Sequence, residues 1–183
     1  MQSFKQLNID LKNYLEEAQE SFIKDLVHII DGDRLNYLEG KNEKDLKALY
    51  FEYEYDYLDI IAWGTDKAGD ILTKTYKMGD QRRKQENETD DWTAFIPEKL
   101  WTEASDFQEQ YEDEEDFDEV MDDYNDEKYE IFENWFFDSW KKASIQTENR
   151  TDAYFSIHDS YFKTDLNTLQ SLNNDEIAER YTS

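Results

Sequence analysis

Apolar residues in the first thirty positions recur by threes and fours: Phe4, Leu7, Leu11, Leu15, Ala18, Phe22, Leu26, Ile29 and Ile30. That spacing lines them along one stripe and predicts a core-facing helix, opened by Ser3 as N-cap and closed near Gly32. From Ala48 to Gly64 the period drops to two. Phe51, Tyr53 and Tyr55 alternate with Glu52, Glu54 and Asp56, so rings fall on one side of a strand and carboxylates on the other. The stretch exceeds an ordinary strand in length and predicts a hairpin turning at Tyr55 to Tyr57, although no Asn-Gly pair marks the turn. Gly64 to Gly69 reads as a further turn and Asp70 to Met78 as a third strand.

The polar stretch Gly79 to Asp91 has no period and reads as a loop. Trp92 to Trp101 comes next as a short helix with Pro97 in its first turn. Beyond it lies a run in which Phe117, Val120, Met121, Tyr124, Phe132, Trp135, Phe136 and Trp140 recur near helical spacing, predicting a helix that extends to about Lys142. Ala153 to Leu166 reads as two short strands, and Asn174 or Asp175 opens a last helix through Ile177, Ala178 and Tyr181. Helix, strands, helices, strands, helix is the order of an α+β fold. The expectation is a single domain over residues 1–183: a small antiparallel sheet packed with a long N-terminal helix and a long acidic helix.

Charge changes this picture. Forty-six Asp and Glu against twenty Lys and Arg leave a net −26 in 183 residues, a balance that often accompanies disorder. Five Trp, thirteen Tyr and eleven Phe, with one Pro and five Gly, point instead to a folded core beneath an acidic skin. Such a surface repels duplex nucleic acid and anionic membranes, whose affinity for proteins comes from Lys and Arg. It attracts basic proteins over long range. Basic residues are mostly Lys, and Asn, Ile and Tyr are frequent, a usage that fits an AT-rich genome better than salt adaptation. With no cysteine, disulfides and thiolate metal sites are excluded. No signal pattern opens the chain and no stretch has the apolar length of a membrane span, so a cytoplasmic location is expected.

The charge is concentrated. Between Glu103 and Glu133 stand sixteen carboxylates and one base, Lys128. Carboxylates three or four apart on a helix are separated by roughly 5–6 Å along its axis, comparable with the roughly 3.4 Å rise per nucleotide of a nucleic-acid strand. Glu109, Asp113, Asp116, Glu119, Asp123, Asp126, Glu130 and Glu133 form such a row, and a partner with a cationic groove would meet familiar charges there. Repulsion at this density costs stability, a few tenths of a kcal/mol per i,i+4 pair, which favours a functional surface over a merely solvated one. Tyr111, Tyr124 and Tyr129, interleaved with the row, are the aromatics expected to be buried at the contact. The only basic island, Lys74, Lys77, Arg82, Arg83 and Lys84, is expected to face the protein's own acidic surface.

Catalytic patterns are weak. His28 lies within the first helix. His158, in Ser156-Ile157-His158-Asp159-Ser160, would share a strand face with the serines while Asp159 points away, so adjacent residues do not make a triad. The stretch beginning at Asp123 fails the calcium-loop pattern because Lys128 stands where glycine is required. No phosphate loop, dinucleotide fingerprint or nucleophile elbow is present. No catalytic residue, metal site or cofactor is expected.

The hairpin Leu49–Trp63, the aromatic stretch Trp135-Phe136-Phe137-Asp138-Ser139-Trp140-Lys141-Lys142-Ala143 and the closing Phe155-Ser156-Ile157-His158-Asp159 to Asp165-Leu166 together resemble small acidic immunity proteins of bacterial polymorphic-toxin systems. The resemblance covers scattered parts of about half the chain, in texture rather than in a diagnostic motif. It implies a cytosolic α+β binder that blocks one cognate toxin, often a nuclease, and carries over no site residue. The expected function is therefore non-enzymatic inhibition of a basic partner protein. A nucleic-acid mimic of phage or mobile-element origin is the alternative, and a carboxylate-dependent enzyme using His158 is a third.

Overall fold

The computed structural model describes residues 3–79, 96–148 and 151–182. The first helix, α1, spans Phe4–Ile30, and the Ser3 hydroxyl caps it by accepting from the Gln6 amide at 3.1 Å. Every apolar position of the predicted stripe is buried, and Asn8 joins them at 1% exposure. Beyond the C-cap Asp31, Gly32 takes a positive φ of 86°, the left-handed turn that lets the chain leave the helix.

The hairpin is present as β1 (Ala48–Tyr53) and β2 (Ile60–Thr65), paired antiparallel with Phe51 opposite Ala62. Its turn is made by Leu58 at φ 53°, although Leu58 is fully buried. A leucine in this region costs roughly 1–2 kcal/mol, comparable with what its burial returns. The expected third strand shrinks to β3 (Tyr76–Lys77) and two isolated bridges, Thr65 with Ile71 and Tyr37 with Thr73. Across the second region, helices α2 (Glu98–Tyr111) and α3 (Phe117–Gln146) precede β4 (Asp152–Ile157), β5 (Phe162–Asp165), β6 (Ser171–Asn173) and α4 (Asn174–Glu179).

The strands form one sheet in the order β3-β2-β1-β4-β5-β6. Its central pair corrects the antiparallel expectation: β1 and β4 run parallel, Phe51 beside Phe155 and Tyr53 beside Ile157. Parallel neighbours need a long crossover, and here α2 and α3 lie between the hairpin and β4 in the chain. The other pairings are antiparallel.

Helices α1 and α3 run side by side on one sheet face. Phe136 is the hub, stacked on Phe155 at 4.0 Å and meeting Phe22 and Phe51 edge-on at 5.7 and 5.5 Å. Phe132 packs edge-on against Tyr53. The opposite sheet face is partly covered as well: Ala48, Tyr154 and Ile177 form a smaller cluster under α4. The capping box of Asn173 and Glu176 opens α4, and Arg180 donates to Asp165 at 2.7 Å just beyond it. Among the described residues no helix is long and apolar enough to cross a membrane.

Candidate functional site

The acidic segment is two helices rather than the one predicted. α2 ends at Tyr111, residues 112–116 make a tight connection, and α3 starts at Phe117. Those five residues are Glu-Asp-Glu-Glu-Asp, a like-charged run with two poor helix formers. The break lets the two helices fold back against the start of α1. Backbone bonds from Glu114 to Tyr111 and from Phe117 to Glu114 close the connection. At the start of α3, Asp118 and Glu119 lie in the first turn, where the helix dipole stabilises negative charge.

A small apolar cluster supports this corner. Phe4, Leu7 and Tyr124 are its buried members, with Phe107, Tyr111, Val120 and Met121 packed around them. Phe4 touches three rings, Phe107 at 4.7 Å, Tyr124 at 5.2 Å and Tyr111 at 5.5 Å. Asn8 adds a polar tie by donating to Glu127 at 2.7 Å and to the Tyr124 carbonyl at 3.2 Å. The scaffold beneath the charges is thus folded and anchored to α1.

Sequence-predicted residues divide between surface and interior. Glu109, Asp113, Asp116, Glu119, Asp123, Asp126 and Glu130 are exposed. The break interrupts the row: Glu109 belongs to α2 and Asp113 and Asp116 to the connection. On α3, Glu119, Asp123, Asp126 and Glu130 keep one stripe, spanning about 16 Å of helix axis. Glu133 continues it in sequence, but is half-buried and accepts the Tyr53 hydroxyl at 2.7 Å. Burial first, and then this bond, push the Tyr53 phenol well above its ordinary range.

The three tyrosines expected at the contact are occupied in packing. Tyr124 is buried, its phenol pushed up to about 12 by burial. Tyr129 sits half-buried beside Tyr53 and Tyr55, and Tyr111 lies against Phe4 while its hydroxyl donates to Asp116 at 3.2 Å. Their spacing marked them as apolar, and the same spacing serves a core as well as an interface.

Lys128, the single base of the segment, points inward. It is 8% exposed, donates to the Tyr55 carbonyl at 3.1 Å and lies over the Tyr129 and Tyr124 rings at 4.8 and 5.5 Å. Burial lowers its pKa to about 8, with Asp56 opposing. Its charge is therefore withdrawn from the outer surface, which leaves the carboxylates there without a neighbouring cation from their own segment. Of the basic island, Lys77 pairs with Asp59 at 2.8 Å while Lys74 is exposed; Arg82, Arg83 and Lys84 lie outside the described residues, as does most of the predicted loop.

His158 departs from strand alternation because β4 ends at Ile157 and Asp159 turns back at φ 59°. Its ring meets Glu52 at 3.3 Å through Nδ1 and Asp159 at 3.5 Å through Nε2. The hydrogen bond to Glu52, ahead of the Asp159 charge, raises its pKa. Two carboxylates thus partner the ring, where a nucleophilic triad would place a serine, and it lies outside the walls of three clefts, of about 550, 360 and 230 Å³. Among the described residues no group of acidic or histidine side chains is arranged to hold a metal ion. Comparison of the chain with protein-family models, curated proteins and solved structures gives no match.

Proposed function

We propose that this protein is a non-enzymatic, immunity-like inhibitor acting in the cytosol, which occupies the basic surface of a partner protein with the carboxylates of the α2–α3 corner. The observation that carries the reading is the combination of outward charge and inward support at that corner. Glu112, Asp113, Glu114, Glu115 and Asp116 are all exposed, yet the helices on either side are fixed to Phe4 and Asn8 of α1. A preformed anionic surface loses little conformational freedom on binding, so charge attraction is not offset by ordering. Encounter would be steered by the net field.

Nuclease toxins and DNA-binding proteins fit such a surface, since their cationic grooves are made for phosphates. The alternative of general nucleic-acid mimicry draws on the four-carboxylate stripe of α3, but the break at residues 112–116 shortens the row that a mimic of extended duplex would use. The two readings separate by promiscuity. Capture of a cationic protein by the wild type, and its loss with Asp113→Asn, Asp116→Asn, Asp123→Asn and Asp126→Asn combined, is the expected result. Equal capture by both forms would contradict it. Binding to several unrelated DNA-binding proteins, each displaced by plain duplex DNA, would favour mimicry.

A further inference from the structure

Lys128 lines a cleft of about 230 Å³, formed where α1, α2 and α3 meet the β1–β2 turn. Leu7 and Leu11 of α1, Leu58 of the turn and Leu100 of α2 give it apolar walls. The amine is what gives it chemistry. An ammonium carries three donors, and only one is spent, on the Tyr55 carbonyl at 3.1 Å. The Tyr129 and Tyr124 rings, at 4.8 and 5.5 Å, attract the charge without offering a lone pair. Asp56, also on the cleft, favours the charged form from a distance, but among the described residues no carboxylate forms an ion pair with Lys128. A charge buried without a paired anion is costly, and the fall of the amine's pKa to about 8 expresses that cost. In a chain with forty-six acids, this lysine, only 8% exposed, is short of acceptors.

We propose that the cleft binds a small apolar monocarboxylate, its carboxylate on the Lys128 ammonium and its hydrocarbon body between the leucines. Ser105 and Gln108, half-buried on the α2 wall, can donate to the second carboxylate oxygen. The volume exceeds the about 150 Å³ that takes a benzene ring and falls short of the about 300 Å³ at which pockets for drug-sized ligands begin. A short chain or a single ring fits. One cation facing Asp56 cannot balance the double charge of a phosphate, which selects a carboxylate. The net field of the chain opposes any anion, but pairing inside a low-dielectric cleft outweighs a screened surface. The groups facing the amine are Asp56 and Tyr57 from the turn and Tyr124 and Tyr129 from α3, while α1 and α2 present uncharged residues. Lys128 is the base among them, so affinity should be greatest while it is protonated and fall as pH rises past 8. The site is independent of the acidic corner, and neither reading needs the other.

Hexanoate and benzoate are the probes, with hexanamide and benzamide as uncharged counterparts and acetate as the charge without the body. Titrations followed by methyl NMR should show at least one of the two acids binding one to one, with shifts at Leu11, Leu58 and Leu100, and at least about tenfold more tightly than its amide or acetate. Lys128→Met should erase the preference for acid over amide. Should that variant fail to fold, the wild type alone decides: the preference should shrink at least about tenfold between pH 7 and about pH 9.5. Binding of neither acid, shifts confined to other methyls, equal affinity for acid and amide, or a preference that survives Lys128→Met or the rise in pH would each overturn the proposal.

Discussion

The two halves of α3 share one helix and almost nothing else. Residues 117–128 carry six carboxylates, Asp118, Glu119, Asp122, Asp123, Asp126 and Glu127, and their one base is buried. Residues 129–146 carry three carboxylates and two lysines, while Phe132, Trp135, Phe136, Trp140 and Ala143 are buried in the main core. The second half is fixed by the sheet. The first is fixed by α2 and by the start of α1, through a cluster with three buried members. Charge density can rise where packing demands are met by few residues, and the stable half of the helix holds the charged half in place. The same division explains the opposite fates of two acids on a common stripe, Asp126 exposed and Glu133 bonded to Tyr53.

The largest expected contrast is in stability. Phe136→Ala should cost about 3–5 kcal/mol, whereas Met121→Ala, at the half-buried rim of the small cluster, should cost only about 1 kcal/mol. Denaturant midpoints of the two variants measure this, and equal losses would break the division between the halves. Next come the acids. Glu133→Ala leaves the buried Tyr53 hydroxyl without its acceptor, at about 1–3 kcal/mol, whereas Asp126→Asn should change stability by less than about 0.5 kcal/mol.

Lys128 sharpens the comparison through pH. Its ordinary pKa of 10.5 falls to about 8 in the folded chain. Below pH 8 the amine is charged in both folded and unfolded chains, and burying that charge opposes folding. Between pH 8 and 10.5 the folded chain has released the proton while the unfolded chain retains it, so this group adds stability as pH rises. Lys128→Met should therefore stabilise the protein at pH 7 by about 1–3 kcal/mol. That advantage should shrink toward pH 10, as read by paired denaturation curves; an advantage constant with pH would place the lysine in contact with water. The smallest effect is at His158. Its ring should titrate above 6.5 in NMR, and Glu52→Gln should bring it down. Stability linked to this ring is fully present below 6.5 and is lost as pH rises through the elevated folded value.

Much of this fold was legible because local pattern and tertiary demand agree. In α1 the apolar stripe marks the buried face, and only Asn8 is buried outside the pattern, because its amide finds acceptors on α3. The hairpin followed from its period of two. The parallel pairing of β1 with β4 did not, because Asp152–Ile157 has the texture of any half-buried strand and its neighbour is chosen by the crossover. Nor did the break at residues 112–116, which holds no glycine or proline. There, repulsion and the docking of Tyr111 on Phe4 outweigh helix continuation. Strand β6 is too short and polar to announce itself. At the site seven of the eight carboxylates of the row were legible as surface by charge, but not Glu133, which is half-buried against Tyr53; the tyrosines were not assignable, since burial in a core and burial in a complex demand the same side chain.

The most direct measurement is the association rate of the cationic protein captured by the wild type, tracked by stopped flow as salt is raised. A preformed anionic corner predicts a rate that falls at least about tenfold between low and moderate ionic strength, with the fourfold Asp→Asn variant starting slower and depending less on salt. A rate indifferent to salt, or identical for the two proteins, would contradict the docking of a basic partner on this surface.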